Sequence, residues 1–255
     1  MIPKLLPLIL LAMPALVQAV EKPLARSEQF ILVITKNWDA VGGTLQRFKR
    51  SDTNWLTVGG NIHVVVGRNG LGRGRGLNSS DLQDGREKKE GDGKAPAGAF
   101  RLSSAFGYAS RAEMKKIKLP YVQCTSTLEC VDDPNSKHYN SVLDRKSVAK
   151  VDWKSSEQML MTNEQYRIGV VVDHNVEPSL AGGGSCIFLH IWKGNGEGTS
   201  GCTAMSPTNM DKVIRWLDPV LNPVLVQLPQ VEYLRLQKDW QLPKMPAAKP
   251  PKKKK

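Results

Sequence analysis

The chain has 255 residues and a formal net charge of +12, and 40% of its residues are hydrophobic. This length suits one domain with loops and a sizeable core, and the positive charge predicts anionic partners. The basic residues are scattered and the aromatic residues do not interleave with them, which excludes a stacking surface for nucleic acid. Cell-wall polymers and anionic lipid head groups are the partners that we expect.

Residues 1–19 have the composition of a cleavable secretory signal peptide. Lys4 precedes a mostly apolar run at residues 5–17, and small residues follow at the cleavage positions. The run contains Pro7 and Pro14 and is shorter than the about 20 residues that span a membrane. We therefore expect a periplasmic or secreted protein with no stable membrane anchor.

The first half of the remaining chain is predicted to consist mainly of strands. The segment 67–98 is rich in Gly and charged residues, with glycine at every second position from Gly70 to Gly76, and we predict that it is a loop outside the core. Runs that are typical of strands lie at residues 29–35, 44–50, 53–58 and 61–67.

The second half mixes strands with short helices. Residues 122–150 are predicted to be an irregular excursion, and residues 241–255, rich in Pro, Ala and Lys, a disordered basic tail. Residues 20–240 are therefore expected to form one domain. Helices are predicted at residues 155–163 and 206–217, and strands at residues 166–175, 186–190 and 223–228.

The four cysteines leave two interpretations open. Cys124 and Cys130 enclose a short loop, and we predict a disulfide between them because an exported protein meets an oxidising compartment. On a strand, Cys186 and His190 would lie about 13 Å apart. A Cys202 thiol that contacts His190 would then not reach Cys186, so a Cys186–Cys202 disulfide and a free Cys202 thiol exclude each other. We favour the free thiol.

A histidine and a cysteine flank a glycine-rich loop at residues 190–202. A cysteine attacks carbonyl groups as a thiolate, so it needs a base and backbone N–H groups that hold the oxyanion. The spacing predicts that Cys202 is the nucleophile and His190 the general base, and that the N–H groups of Gly201 and Cys202 bind the oxyanion. Ser200 or Thr199 would orient the histidine or the thiolate.

This segment resembles the signature of the L,D-transpeptidase catalytic domain, the YkuD family. Residues 94–100 resemble the family's Gly-Lys-x-Pro-x-Gly-x-Phe element, and residues 171–175 resemble the strand before its site. The likeness spans about residues 60–230. The chain resembles a divergent branch, because Ser200 replaces the second histidine of the signature and the His-to-Cys loop is short.

The resemblance implies a mainly β fold with a few short helices, an L,D-transpeptidase (YkuD)-like β-sandwich. It also implies a cysteine acyltransferase that acts on peptidoglycan stem peptides. Cys202 would attack the carbonyl at the L-centre of the third residue of a donor tetrapeptide, release D-Ala and form a thioester. An amine on another stem, or on an outer-membrane protein, would resolve it. We expect a monomer.

Five further residues are candidates for substrate binding. His174 with Asn175 contacts a substrate carboxylate or amide, or else caps the end of a strand. Trp192 walls the acyl pocket or is a rim aromatic, and Lys94 binds a stem carboxylate or is solvated. Thr203, next to the nucleophile, completes the set.

Two other functions use the same segment. A murein peptidase or amidase would employ Cys202 and His190 with water as acceptor, and a non-catalytic wall-binding module would carry a Cys186–Cys202 disulfide. The sequence lacks the spacings of a zinc site and the Gly-Lys-Ser/Thr ending of a phosphate-binding loop. We therefore expect no metal and no cofactor.

Overall fold

The computed structural model describes residues 21–244, so the predicted signal peptide lies outside the described residues. The predicted mainly β class is confirmed. The strands are β1 (Gln29–Thr35), β2 (Gly42–Ser51), β3 (Asn54–Val65), β4 (Leu71–Arg73), β5 (Ala95–Gly107), β6 (Tyr121–Gln123), β7 (Leu128–Val131), β8 (Val142–Asp144), β9 (Ser156–Gln158), β10 (Ile168–Val172), β11 (Phe188–Ile191), β12 (Thr203–Met205) and β13 (Val224–Pro229). The helices are α1 (Pro207–Trp216) and α2 (Gln230–Leu236).

One long strand closes the main sheet on itself. The strands follow the order β10-β11-β12-β3-β2-β1-β13-β5, and β5 pairs with β13 through residues 98–101 and with β10 through residues 102–107. β1 runs parallel to β13 and β11 runs parallel to β12, whereas the other neighbours in this ring are antiparallel. The two layers of the predicted sandwich are therefore halves of one closed sheet.

The core lies inside this sheet and beneath the two helices. β1 is buried almost throughout because β2 and β13 flank it and α2 packs against it. The helix predicted from residue 206 is confirmed as α1, which packs on β10 and β11 through Met210, Val213 and Ile214. Pro207 suits its first turn, where the missing N–H would have no partner within the helix.

The prediction that the glycine-rich segment at residues 67–98 lies outside the core is only partly correct. β4 pairs in parallel with the start of β5, and Leu71 and Leu82 are buried. The glycines permit this close approach, since a Cβ at Gly76 would lie 2.3 Å from the carbonyl oxygen of Ala99. The segment is so rich in charged residues that its few apolar residues did not indicate this burial.

A second sheet of three strands occupies the part of the chain predicted to be irregular. Its order is β8-β7-β9. The helix predicted at residues 155–163 is wrong, because residues 156–158 pair with β7 as β9. The carboxylate of Glu129 fixes this pairing, since it accepts hydrogen bonds from Trp153 Nε1 and Ser156 Oγ, each at 2.8 Å.

The predicted disulfide between Cys124 and Cys130 is wrong. Cys130 pairs with Cys186, and the thiols of Cys124 and Cys202 are free. The Cys124 N–H donates to the Gly107 carbonyl at 2.7 Å and stays with the main sheet, whereas Cys130 lies on β7 of the small sheet. The disulfide therefore joins the small sheet to the segment that precedes β11.

The strand geometry that we assumed around Cys186 is also wrong. β11 begins at Phe188, and Cys186 lies before it with a φ of 54°. The chain turns there, so the Cys202 sulfur approaches the Cys186 carbonyl oxygen to 3.5 Å. A free Cys202 thiol and contact with Cys186 therefore coexist, contrary to the strand argument.

The C-terminal end of the described chain packs on the domain. Trp240 is buried and donates from Nε1 to Asp81 Oδ2 at 2.7 Å, and Leu242 is 6% exposed. The tail predicted from residue 241 thus begins inside a packed segment, and residues 245–255 lie outside the description. Within residues 21–244, no helix has the length and apolar character that crossing a membrane requires.

Candidate active site

Strand pairing brings Cys202 next to β11. β11 and β12 run parallel with Leu189 opposite Thr203, and Cys202 directly precedes β12. The Phe188 N–H donates to the Cys202 sulfur at 3.3 Å. The thiol is buried, and this burial raises its pKa well above the usual range. At rest the sulfur is therefore a thiol and not a thiolate.

His190 lies on β11 as a neutral, oriented imidazole. Its Nδ1 is 2.7 Å from the Ile191 carbonyl oxygen. A carbonyl can only accept, so Nδ1 carries the proton and Nε2 keeps its lone pair. Burial lowers the pKa of His190 to about 4. The ring is thus in the form that takes up a proton.

A cavity of about 650 Å³ contains the predicted catalytic residues Cys202, His190, Gly201 and Ser200 in its wall. Thr199 shapes the loop between them, because its hydroxyl donates to the Cys202 carbonyl at 2.6 Å and accepts from the Gly201 N–H at 3.1 Å. The Gly201 N–H is therefore engaged within the loop in this state.

Three basic residues that the sequence analysis did not single out line the same cavity: Arg68, Lys88 and Lys193. Arg68 Nη1 donates to Ser200 Oγ at 3.1 Å. Lys88 is almost fully buried and forms an ion pair with Asp92 at 2.7 Å. Arg68 and Lys88 lie within the glycine-rich segment 67–98, where many charged residues gave no means of selecting these two.

Tyr166 and Glu157 also line the cavity and were missed. The Tyr166 ring lies edge-on to His190, with 5.3 Å between ring centroids. The Tyr166 hydroxyl donates to Glu157 Oε1 at 2.5 Å. Burial raises the pKa of Glu157 to about 7. A hydrogen bond thus joins a carboxyl group to the tyrosine that packs on His190.

The comparison with known protein families agrees with the chemistry of this site. The sequence profile of the L,D-transpeptidase catalytic domain, YkuD, matches residues 42–226. The chain belongs to the YkuD family. This family carries out L,D-transpeptidase-type chemistry on peptidoglycan. That the chain belongs to it confirms the resemblance drawn from the sequence.

More distant comparisons add little to the YkuD assignment. The structure of Bdellovibrio bacteriovorus Bd1075 is 11% identical, with a TM-score of 0.40, and the likeness covers 84% of this chain and 55% of that chain. The chain thus spans about half the length of that solved protein. No curated protein matches the chain.

Two of the substrate-binding candidates lie away from the cavity of this YkuD domain. His174 is buried, with Nε2 3.0 Å from the Gly183 carbonyl oxygen and Nδ1 accepting from the Arg75 N–H at 3.2 Å. The Asn175 side chain accepts from the Leu180 N–H at 2.8 Å. Both side chains therefore form hydrogen bonds that connect neighbouring loops.

The other three candidates are also absent from the lining of the Cys202 cavity. Lys94 Nζ donates to the Asn69 carbonyl at 2.8 Å, and the Thr203 hydroxyl donates to Gln227 Oε1 at 2.7 Å. The Trp192 ring lies 5.9 Å from the ring of His63. Within residues 21–244, no group of three or more His, Cys, Asp or Glu side chains is arranged to hold a metal ion.

Proposed function

We propose that this YkuD domain is an exported cysteine acyltransferase that joins peptidoglycan stem peptides through Cys202, in the periplasm or outside the cell. The observation that carries the proposal is that a free thiol and an imidazole oriented through its Nδ1 line one cavity. Family membership supports the chemistry, and a net charge of +12 suits an anionic wall polymer.

In the first half-reaction, the Cys202 thiol gives its proton to His190 Nε2 as its sulfur bonds to the donor carbonyl carbon. The oxyanion takes hydrogen bonds from the backbone N–H groups of Cys202 and Gly201, the latter exchanging Thr199 for the new acceptor. The C–N bond then breaks, and the departing amine takes the proton from His190. A thioester and a free D-amino acid result.

In the second half-reaction, an acceptor amine attacks the thioester carbonyl. It passes a proton to His190, the C–S bond breaks, and the Cys202 sulfur recovers that proton. The product is a new amide between two stems, or between a stem and an outer-membrane protein. Water in place of the amine would give the murein peptidase that the sequence analysis retained as an alternative.

The third function considered, a module with a Cys186–Cys202 disulfide, is wrong on one point that defined it. Cys186 is bonded to Cys130, which leaves the Cys202 thiol free.

Intact mass spectrometry of the protein with a tetrapeptide muropeptide tests the proposal. We expect an acyl adduct on Cys202, and a cross-linked product only when an amine acceptor is present. Cys202→Ala should form neither, and Cys124→Ala, which removes the other buried free thiol, should form both. His190→Gln should slow adduct formation about 10²- to 10⁴-fold, the usual contribution of a general base.

The outcomes separate the candidates. Product that forms equally well without an amine would favour the peptidase. A wild-type protein that forms no adduct and releases no D-amino acid would contradict both enzymatic functions.

A further inference from the structure

A buried ammonium group lines the Cys202 cavity. The Lys88 side chain is 3% exposed, and its Nζ donates to the Lys89 carbonyl at 2.5 Å and to Asp92 Oδ1 at 2.7 Å. An ammonium group has three N–H bonds. Among residues 21–244, these two oxygens are the only acceptors of the Lys88 ammonium, so one of its N–H bonds has no protein partner.

Two glycines place this side chain beside the loop of the nucleophile. A Cβ at Gly184 would lie 3.1 Å from Lys88 Cε, and a Cβ at Gly201 would lie 3.8 Å from the same atom. The Lys88 ammonium is one bond beyond Cε, and Gly201 directly precedes Cys202. Negative charge that forms at Cys202 during the reaction would therefore develop close to the ammonium.

The turn that carries Lys88 is held by Asp92 through backbone groups. Asp92 Oδ2 accepts from the Lys89 N–H at 2.7 Å, and Oδ1 accepts from the Lys94 N–H at 2.9 Å. A buried ion pair adds little net stability, because the desolvation of two charges offsets their attraction. Neither the turn nor the stability of the fold therefore explains an ammonium group in this cavity wall.

We propose that the Lys88 ammonium stabilises the negative charge that forms at Cys202, first on the thiolate sulfur and then on the oxyanion of the attacked carbonyl. The inference rests on the proposed role of Cys202 as nucleophile. Lys88 is too deeply buried to meet a carboxylate at the mouth of the cavity, whereas the exposed Arg68 is placed to do so. Lys88 thus acts on the reacting groups and not on the ends of the substrate.

The electrostatics of the cavity favour Lys88 over the other cations in its wall. A charge in a buried site acts more strongly than one that water screens, and the Lys193 side chain is 74% exposed. Burial raises the pKa of the Cys202 thiol, and the Lys88 charge opposes this rise. The other charged and titratable groups in the cavity wall are Arg68, Glu90, Asp132, Glu157, Tyr166, His190, Lys193 and Glu197.

The rate of alkylation of Cys202 by iodoacetamide tests the charge without any peptidoglycan substrate. Peptide mapping at pH 8, without reductant, gives this rate for the wild type, Lys88→Met and Asp92→Asn. We expect Lys88→Met to react about 3- to 30-fold more slowly. Loss of a neighbouring positive charge raises a thiol pKa by about 1–3, and the greater nucleophilicity of the more basic thiolate offsets about half of the effect on a logarithmic scale.

Asp92→Asn should have the opposite effect and react about three-fold faster or more. Asparagine keeps an oxygen that accepts from Lys88, and the charge that opposes the ammonium is gone. If the ion pair only held the turn, both variants would disturb the cavity and change the rate in the same direction. Rates that change in the same direction, or a Lys88→Met rate within two-fold of the wild type, would overturn the proposal.

Lys193→Met is the matched control, since it removes an exposed lysine from the same cavity wall. Its rate should stay within two-fold of the wild type, and a slowing equal to that of Lys88→Met would overturn the assignment to Lys88. Urea unfolding checks that each variant folds. If Lys88→Met does not fold, Asp92→Asn decides alone, because the absence of faster alkylation would overturn the proposal.

Turnover separates this inference from the proposed function. In Lys88→Met, kcat for D-amino acid release should fall about 10- to 100-fold with KM little changed, because the charge acts on the transition state. A protein that shows the alkylation pattern but never acylates on a tetrapeptide would retain the role of Lys88 in thiolate stabilisation and lose the proposed function. An active enzyme in which Lys88→Met matches the wild type in both assays would do the reverse.

Discussion

At the scale of single residues, Arg68 is the positive group best placed to meet a substrate. Its guanidinium is exposed and donates to Ser200 Oγ, two residues from the nucleophile. A donor tetrapeptide ends in a carboxylate, so we expect Arg68→Gln to raise KM by about 10- to 100-fold, the effect of one hydrogen bond to a charged group, with kcat little changed. Steady-state kinetics of D-amino acid release measure both constants.

A donor with an amidated C-terminus provides the matched control. The wild type should lose affinity for it, whereas Arg68→Gln should treat the acid and the amide alike. An equal preference for the acid in both proteins would contradict the assignment. Arg101→Gln, which removes an exposed arginine paired with Glu177 outside the Cys202 cavity, should leave KM unchanged.

The residues that were predicted and those that were missed differ in how they reach the site. Cys202 and His190 lie at the ends of one continuous loop, so the sequence alone indicated that both line one site. Tyr166 lies in the turn before β10, and Glu157 lies on β9 of the second sheet. Their approach depends on the pairing of β9 with β7, for which three residues of β9 carry no periodic signal.

At the scale of secondary-structure elements, the Cys130–Cys186 disulfide joins the small sheet to the segment before β11. It closes a loop of 56 residues, and removing such a bond from a domain typically costs about 2–5 kcal/mol. We expect Cys130→Ala/Cys186→Ala to lose that much unfolding free energy in urea. It should also slow acylation, because Cys186 lies just before β11, which carries His190.

Cys124→Ala is the control for this prediction, since it removes a buried cysteine that belongs to no disulfide. It should lower the unfolding free energy by less than the double variant does and leave acylation intact. Equal losses in the two proteins would show that the bond adds nothing beyond the packing of the side chains.

The elements that the sequence predicted well, β1 and β13, are runs of mostly apolar residues in the core.

At the scale of the whole molecule, β5 closes the sheet by pairing with two different neighbours, which no local pattern in the sequence reveals. The fold contains titratable groups whose effects on stability oppose each other. Burial lowers the pKa of His174 to about 4, and it raises the pKa of Glu157 to about 7. The first group favours the folded state at high pH and the second at low pH.

The two groups therefore predict opposite pH profiles in urea unfolding. The stability due to His174 is complete above its ordinary pKa of 6.5 and is lost as pH falls toward 4, so the cost of His174→Gln should shrink over that range. The contribution of Glu157 is complete below 4.5 and is lost as pH rises through 7, so Glu157→Gln should gain on the wild type in that direction. Each change should reach about 3 kcal/mol. If the unfolding free energies of the two variants, each relative to the wild type, changed with pH in parallel, the neutral imidazole of His174 and the raised carboxyl pKa of Glu157 would be contradicted.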